Sequence, residues 1–315
     1  MIYTLTLNPC IDKTVTVDKF GIGLTNRASS YDKNICGKGI NTAVAVNNLS
    51  RDVCAIFFDY SDGPSVTNFL SNKGISCKSI KVKGELRTNY KVYDPSTQKT
   101  TEINEKGFPV DKKDVSDIFE LIVNSVNKGD VLTISGSVPP GVEDSFYHDI
   151  IKAVKVKDVK TILDADGKLL ANGIKALPDM IKPNRDELST LISRPVKNID
   201  EVIDCARSLN EFGIPSVCVS LGKDGAVLSK GGILLKAVND IDVIRGTVGA
   251  GDSMVAGFAI GMSENLSPEE TLHMASALSA GSVSLPSTQI CTSELYKQMY
   301  DKVIMTCYNN SVYAF

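Results

Sequence analysis

The sequence predicts an α/β protein with a mostly parallel sheet covered by helices on both faces. Three observations predict it. Short apolar runs alternate with stretches of helical periodicity along the 315 residues. Two pairs of polar-alternating segments interrupt that order. Five polar, glycine-bearing turns follow the apolar runs or open the helices, which is how an open α/β sheet gathers a ligand crevice at one edge.

Taken in order, strands are expected over 2–7, 53–58, 130–135, 161–164, 180–182 and 216–220. These are apolar runs bounded by turn residues, as in strands buried on both faces. Helices are expected over 39–49, 64–73, 112–127, 145–156, 199–212, 251–263 and 268–285. In the helix from 251, apolar residues fall at Val255, Phe258, Ala259 and Met262, on one helical face. Segments 13–20 with 28–35, and 87–93 with 99–104, read as hairpins outside the main order. They form either one small separate sheet or two local surface hairpins.

Composition narrows the function classes. The chain carries 34 basic and 37 acidic residues for a net charge of −3, so no polycationic surface for nucleic acid is expected. No apolar run is long enough for a membrane span, and residues 1–5 read as a strand rather than a signal peptide. Eight cysteines lie scattered without a C-x-x-C pair, and the two histidines, His148 and His273, stand apart from them. Zinc-site spacing is absent, and buried free thiols in a reducing cytoplasm are the expectation.

The most informative stretch is Gly249-Ala250-Gly251-Asp252 at the start of a helix. Bare backbone there lets successive N–H groups crowd an anion, the helix dipole adds to them, and Asp252 stands beside as a candidate base. Asp252 equally reads as an ordinary acidic residue of a first helical turn. Gly37-Lys38-Gly39-Ile40-Asn41 is a second glycine-flexed turn before a helix, with Lys38 and Asn41 as polar contacts. Asp12 lies just past the first strand, where a carboxylate could take two sugar hydroxyls or simply form a turn. Ser137 lies in the rigid turn 135–141. In 181–188, Asn184 and Glu187 stand three apart, fit either to order water around Mg²⁺ or to form a capping box. The turn 220–226 is one more glycine-rich exit from a strand. No P-loop is present, and Gly249-Ala250-Gly251 lacks the third glycine of a dinucleotide fingerprint.

In this order the motifs resemble the PfkB group of ribokinase-like sugar kinases. The resemblance spans nearly the whole chain: T-L-N-P-x-x-D at 6–12, G-K-G-I-N at 37–41, S-G-S-x-P-x-G at 135–141, K-P-N-x-x-E-L at 182–188, S-L-G-x-x-G-A at 220–226 and V-G-A-G-D-S at 248–253. Within the group the variants are most similar to 1-phosphofructokinases, with tagatose-6-phosphate kinases as near neighbours. The resemblance implies a single ribokinase-like three-layer α/β domain with a mostly parallel central sheet and a small β-sheet lid, built from segments of about 12–36 and 86–106.

It also implies ATP-dependent phosphorylation of a sugar phosphate, with Mg²⁺. Asp252 would be the base, and the N–H groups of Gly249, Ala250 and Gly251 would hold the moving phosphoryl group. Asp12, Gly37, Lys38, Asn41 and Ser137 would bind the sugar, and Arg87, with Arg27, its existing phosphate. Lys182, Asn184, Glu187, Ser220, Gly222 and Gly225 would form the nucleotide site, with Glu187 reaching the metal through water. A homodimer through the lid is implied as well. A non-catalytic sensor on the same fold is the alternative, against which the intact Asp252, Lys38 and Glu187 argue.

The chain departs from the family pattern at Cys10, Cys36 and 57–63. The last stretch replaces a glycine-rich segment, so a changed sugar fit is expected there. Cys36, beside Lys38 and a helix start, is expected to favour its thiolate, with an inert small residue as the other reading.

Overall fold

The computed structural model describes residues 1–241, 244–286 and 288–308. The chain opens with β1 (Ile2–Thr6), passes into β2 (Cys10–Thr16) and β3 (Ser30–Cys36), and returns through α1 (Lys38–Asn48). Then come β4 (Val53–Asp62), α2 (Val66–Ser71), β5 (Ser76–Glu85), β6 (Arg87–Asp94), β7 (Lys99–Asn104) and α3 (Lys112–Ser125). The central part holds β8 (Val131–Ser135), α4 (Phe146–Lys155), β9 (Lys160–Asp164), α5 (Gly167–Gly173), β10 (Met180–Ile181), α6 (Arg185–Leu191) and α7 (Ile199–Glu211). The last part holds β11 (Ser216–Ser220), β12 (Ala226–Lys230), β13 (Ile233–Asn239), α8 (Ala250–Glu264), α9 (Pro268–Val283), α10 (Ser293–Tyr300) and β14 (Val303–Cys307).

Among the described residues, ten strands form the large sheet in the order β14-β13-β12-β11-β10-β9-β8-β1-β4-β5. From β5 to β11 all pairings are parallel, whereas β12, β13 and β14 extend the sheet antiparallel. The parallel strands read as continuous apolar runs because both faces are covered. On one side α1, α8, α9 and α10 lie against one another, and on the other α3, α4, α5 and α6 follow in succession. Leu5, Ile56, Ile134, Ile162, Ile181 and Val217, from six neighbouring strands, are fully buried. Strand order reverses at β1: the chain runs outward through β4 and β5, then restarts on the other side with β8. Such a reversal opens a crevice at the carboxyl ends of the strands.

The two polar segment pairs form one sheet. Its order is β3-β2-β6-β7, two antiparallel hairpins joined by parallel pairing of β2 with β6. Side chains alternate across it, so Cys10, Asp12, Arg87, Asn89 and Lys91 share the face that lines the crevice. The opposite face carries exposed Tyr31 and Tyr90, with the Lys13 ammonium 5.7 and 5.9 Å from their ring centres.

Helix α8 is apolar nearly all round, and ten of its residues are buried. Gly257 makes this possible: a Cβ there would fall 2.4 Å from the Ala275 Cα of α9. The contact is backbone against backbone, so neither helix has a flexible side chain to move aside. Gly257→Ala is therefore expected to destabilise the protein by about 1–3 kcal/mol, read as a lower midpoint in urea unfolding with an unchanged slope.

Candidate active site

A cleft of about 1120 Å³ opens at the carboxyl ends of β1, β8, β9, β10 and β11 and is overhung by the small sheet. Its floor is electrostatic. Asp164 ends β9 with its side chain 2% exposed, and it meets Lys182 Nζ at 3.1 Å and Lys38 Nζ at 3.4 Å. Burial opposes ionisation of Asp164, but Lys182 and then Lys38 outweigh it and hold its carboxyl below the usual range. Burial likewise opposes the charge on Lys38, but Asp164, Glu187 and Asp252 raise it above the ordinary lysine value.

Gly249 precedes α8 with φ +80°, a left-handed conformation open to glycine. The first helical bond runs from Ser253 N–H to Gly249 O at 2.8 Å. The N–H groups of Ala250, Gly251 and Asp252 therefore come before the ladder, and Ala250 N–H makes only a long 3.4 Å contact with Thr247 O. A Cβ on Gly251 would lie 3.4 Å from Lys182 Nζ, so the bare turn and the ammonium face each other. Amides, a helix dipole and a lysine thus converge on one point suited to an anion.

Asp252 sits in the first turn of α8, buried, with Asn41 Nδ2 donating to its Oδ2 at 2.7 Å. Thr42 Oγ1 lies 2.9 Å from Lys38 O and 3.2 Å from Asp252 O, linking the starts of α1 and α8. Burial pushes the Asp252 carboxyl up to about 6, and the Asp164 charge adds to that, against Lys38, the Asn41 hydrogen bond and Lys182. A buried carboxylate that titrates just below neutrality is suited to accept a proton from an alcohol.

Sixteen of the seventeen site residues expected from the sequence line this one cleft. Asp12 and Arg87 come from the small sheet, and Gly37, Lys38 and Asn41 from the start of α1. Ser137 follows β8, where its Oγ accepts from Asn8 Nδ2 at 3.2 Å. Lys182, Asn184 and Glu187 follow β10, Ser220, Gly222 and Gly225 follow β11, and Gly249, Ala250, Gly251 and Asp252 open α8. Arg87 donates to Asn8 O at 3.2 Å, to Glu105 O at 3.0 Å and to Asn89 Oδ1 at 3.0 Å.

Arg27 is the exception. It is exposed on the connector between β2 and β3 and does not line the cleft. The two strands run from a root at Cys10 and Cys36 to a tip at Thr16 and Ser30, so the connector lies about 20 Å from the root at strand rise.

Three other expectations are corrected or resolved. Burial, with the Asp12 charge adding, pushes the Cys36 thiol up to about 12, so its thiolate is disfavoured rather than favoured. The 57–63 stretch does not line the cleft; Asp59 there accepts from Val66 N–H at 3.1 Å and Thr67 Oγ1 at 2.8 Å, fixing the start of α2. Asn184 and Glu187 do form a reciprocal capping box, at 2.8 and 2.9 Å, while both still line the cleft. Capping uses one Glu187 oxygen, Oε2, and does not use the other. Among the described residues no group of three or more His, Cys, Asp or Glu side chains is arranged to hold a metal. Glu187 and Asp166 both line the cleft, a setting that fits a divalent ion that keeps most of its waters and enters with nucleotide phosphates.

Sequence reasoning missed Asp164, Asn89 and Lys91. Asp164 was read only as the end of a strand, although a charge closing the run Thr161-Ile162-Leu163 is itself a signal of a buried partner. Asn89 and Lys91 sit at alternate positions after Arg87, a period-2 pattern that puts all three on one face.

Fold and cleft together define a phosphotransferase acting on a small alcohol. The chain belongs to the pfkB family of carbohydrate kinases, whose model matches residues 5–295. It is 32% identical over 311 residues to the 1-phosphofructokinase of Bacillus subtilis, covering 97% of this chain and 99% of that one. It is 34% identical over 284 residues to the tagatose-6-phosphate kinase of Staphylococcus epidermidis, covering 88% and 90%. The crystal structure of Escherichia coli phosphofructokinase-2 in complex with substrates and products superposes with a TM-score of 0.89 at 27% identity, over 95% of this chain and 98% of that one. The fold is the ribokinase-like one expected, and kinases of this family use ATP with a divalent metal. Among the described residues no helix is long and apolar enough to cross a membrane.

The shift at Asp252 makes a stability prediction. A carboxyl raised to about 6 in the fold stabilises the folded state below its unfolded value, and that contribution is lost as pH rises through about 6. Asp252→Asn removes the loss. The variant is expected to exceed the wild type in unfolding free energy at pH 8 by on the order of 1–3 kcal/mol, with the gap closing as pH falls from 6 to 4.

Proposed function

We propose that the protein is an ATP-dependent 1-phosphofructokinase, converting fructose 1-phosphate and ATP to fructose 1,6-bisphosphate and ADP. One observation carries the reading: a buried, pKa-raised Asp252 stands beside an amide-lined helix start faced by Lys182. The full-length similarity to 1-phosphofructokinases supports the choice of sugar. Similarity to a tagatose-6-phosphate kinase supports a second reading, tagatose 6-phosphate as acceptor.

In this reading Asp252 Oδ takes the proton from the sugar's free hydroxyl as that oxygen attacks the terminal phosphorus of ATP. Asn41 holds the carboxylate in place. The N–H groups of Gly249, Ala250 and Gly251 stabilise charge gathering on the transferred phosphoryl oxygens, and Lys182 and Lys38 add fixed positive charge. Asp12, Gly37, Lys38, Asn41 and Ser137 hold the sugar, with Arg87 on its existing phosphate. Asn184, Ser220, Gly222 and Gly225 line the nucleotide side. Glu187 would hold Mg²⁺ through water, and the ion would supply charge neutralisation on the nucleotide phosphates.

The small sheet acts as a lid, limiting water near the reacting groups. Its outer face, with Tyr31 and Tyr90 exposed, is the surface for a homodimer. A cytoplasmic location belongs to the same reading and is supported by buried free thiols such as Cys10, Cys36, Cys54 and Cys218.

Steady-state assays with ATP, Mg²⁺ and each of fructose 1-phosphate, fructose 6-phosphate and tagatose 6-phosphate test the choice of sugar. The highest kcat/KM is expected for fructose 1-phosphate; a clear preference for tagatose 6-phosphate establishes the second reading instead. Asp252→Asn is expected to lower kcat by about 10²–10⁴-fold. With Asp252 as the base, wild-type kcat/KM rises with pH through about 6 and levels above it; a profile flat from pH 5 to 8 contradicts that role.

A further inference from the structure

The inner face of the small sheet carries a polar chain in which Asn89 and Lys91 have no role in the reaction as described. Arg87, Asn89 and Lys91 alternate along β6 and so project from the same face. Asn89 stands opposite Asp12 in the register, and Lys91 one row further out, opposite Thr14. Lys91 nevertheless reaches back, its Nζ 2.5 Å from Asp12 Oδ2, and this pair is buried, with side chains 7% and 5% exposed. Asn89 Nδ2 donates to the other oxygen, Asp12 Oδ1, at 3.1 Å. The orientation of the Asn89 amide is fixed at its other end, where Oδ1 accepts from Arg87 Nη1 at 3.0 Å. The chain therefore runs Arg87, Asn89, Asp12, Lys91, from the residue read as the phosphate ligand to a carboxylate clamped on both oxygens.

We infer that Lys91, with Asn89, is a positioning residue for the sugar subsite, fixing the plane of the Asp12 carboxylate so that its remaining acceptor position meets a sugar hydroxyl. The inference rests on the reading of Asp12 as a sugar ligand. A carboxylate accepts up to about four hydrogen bonds. Lys91 and Asn89, with the Cys10 thiol donating to Oδ1 at 3.4 Å, leave the remaining acceptor position in a set direction, and a carboxylate that need not be ordered on binding loses less entropy. A lysine buried to this degree away from the nucleotide side has a local task, because an unpaired buried ammonium is strongly disfavoured. The same clamp ties Arg87 to Asp12 through one amide, so the groups for the sugar's phosphate and for its hydroxyls move as one unit with β6.

The test is a double-mutant cycle on the purified enzyme with fructose 1-phosphate: Asp12→Asn, Lys91→Met and both together, with Lys91→Arg as the conservative control. Lys91→Met is expected to raise KM for the sugar phosphate roughly 10- to 100-fold, the span of one lost hydrogen bond to a charged group. KM for ATP and kcat are expected to stay within about threefold. Lys91→Arg is expected to recover most of the loss. In the Asp12→Asn background, Lys91→Met is expected to cost little more, because a residue that acts through another has no further effect once that partner is gone. Thermal unfolding separates misfolding from positioning, since the double variant removes both charges and spares the fold an unpaired one.

Equal losses from Lys91→Met in both backgrounds overturn the inference and make Lys91 a direct ligand of the substrate. A parallel fall in kcat and a rise in both KM values overturns it in favour of a purely structural role. If Asp12→Asn alone leaves the sugar KM unchanged, the reading of Asp12 itself fails, a result distinct from either of these.

Discussion

Asp164 is the charge around which the cleft is built. It ends β9 almost sealed from water, and a lone carboxylate there would be strongly destabilising. Two lysines prevent that. Lys38 comes from the start of α1 and Lys182 from the end of β10, so the pairing spans the point where strand order reverses. Three charges from three segments are locked at one edge of the sheet, and two of them are positive. The surplus faces the bare turn at Gly251, where a phosphate would lie. Asp164 also acts on its neighbour: its charge, after burial, is the next cause that raises Asp252. One ion-pair arrangement thus makes the floor attractive to anions and raises the carboxyl beside it.

The small sheet is tied to the same floor by short connections. Residues 7–9 separate β1 from β2, and Gly37 alone separates β3 from α1. Asp12 is therefore carried two residues into the sheet, while Lys38 and Asn41 are carried by the helix that immediately follows it. A movement of the sheet about these roots shifts Asp12 and Arg87 against Lys38, Asn41 and Asp252. The burial of Cys36 at this root, with the Asp12 charge, holds its thiol in the protonated form against the Thr288 hydrogen bond and Lys91.

Much of this was legible in the sequence. The parallel core declared itself as apolar runs such as 131–135 and 216–220, and the glycine-bearing turns after them all reached the cleft. The antiparallel extension did not, although Gly231-Gly232 between two apolar runs, both at positive φ, is the chemistry of a tight hairpin. Strand β5 escaped notice because lysines alternate along an edge that is half in water. Helices α5 and α6, seven residues each, are too short to show a period. Within the site, local motifs located the turns, but the Asp164 ion pairs and the Asp12 clamp join residues 18 to 126 positions apart. No local pattern encodes such a contact. Arg27 lies outside the cleft of its own chain for the converse reason: the hairpin is legible in the sequence, but its direction relative to the cleft is not.

In the reading proposed above, the start of α8 grips the phosphoryl group in transfer while Asp252 receives the proton of the incoming alcohol. A crystal structure with fructose 1-phosphate and a non-hydrolysable ATP analogue tests it most directly. The terminal phosphate is expected within hydrogen-bonding distance of the N–H groups of residues 249–251, and the free sugar hydroxyl against the Asp252 carboxylate. A terminal phosphate directed to another wall, or a sugar whose hydroxyl lies away from Asp252, would contradict it.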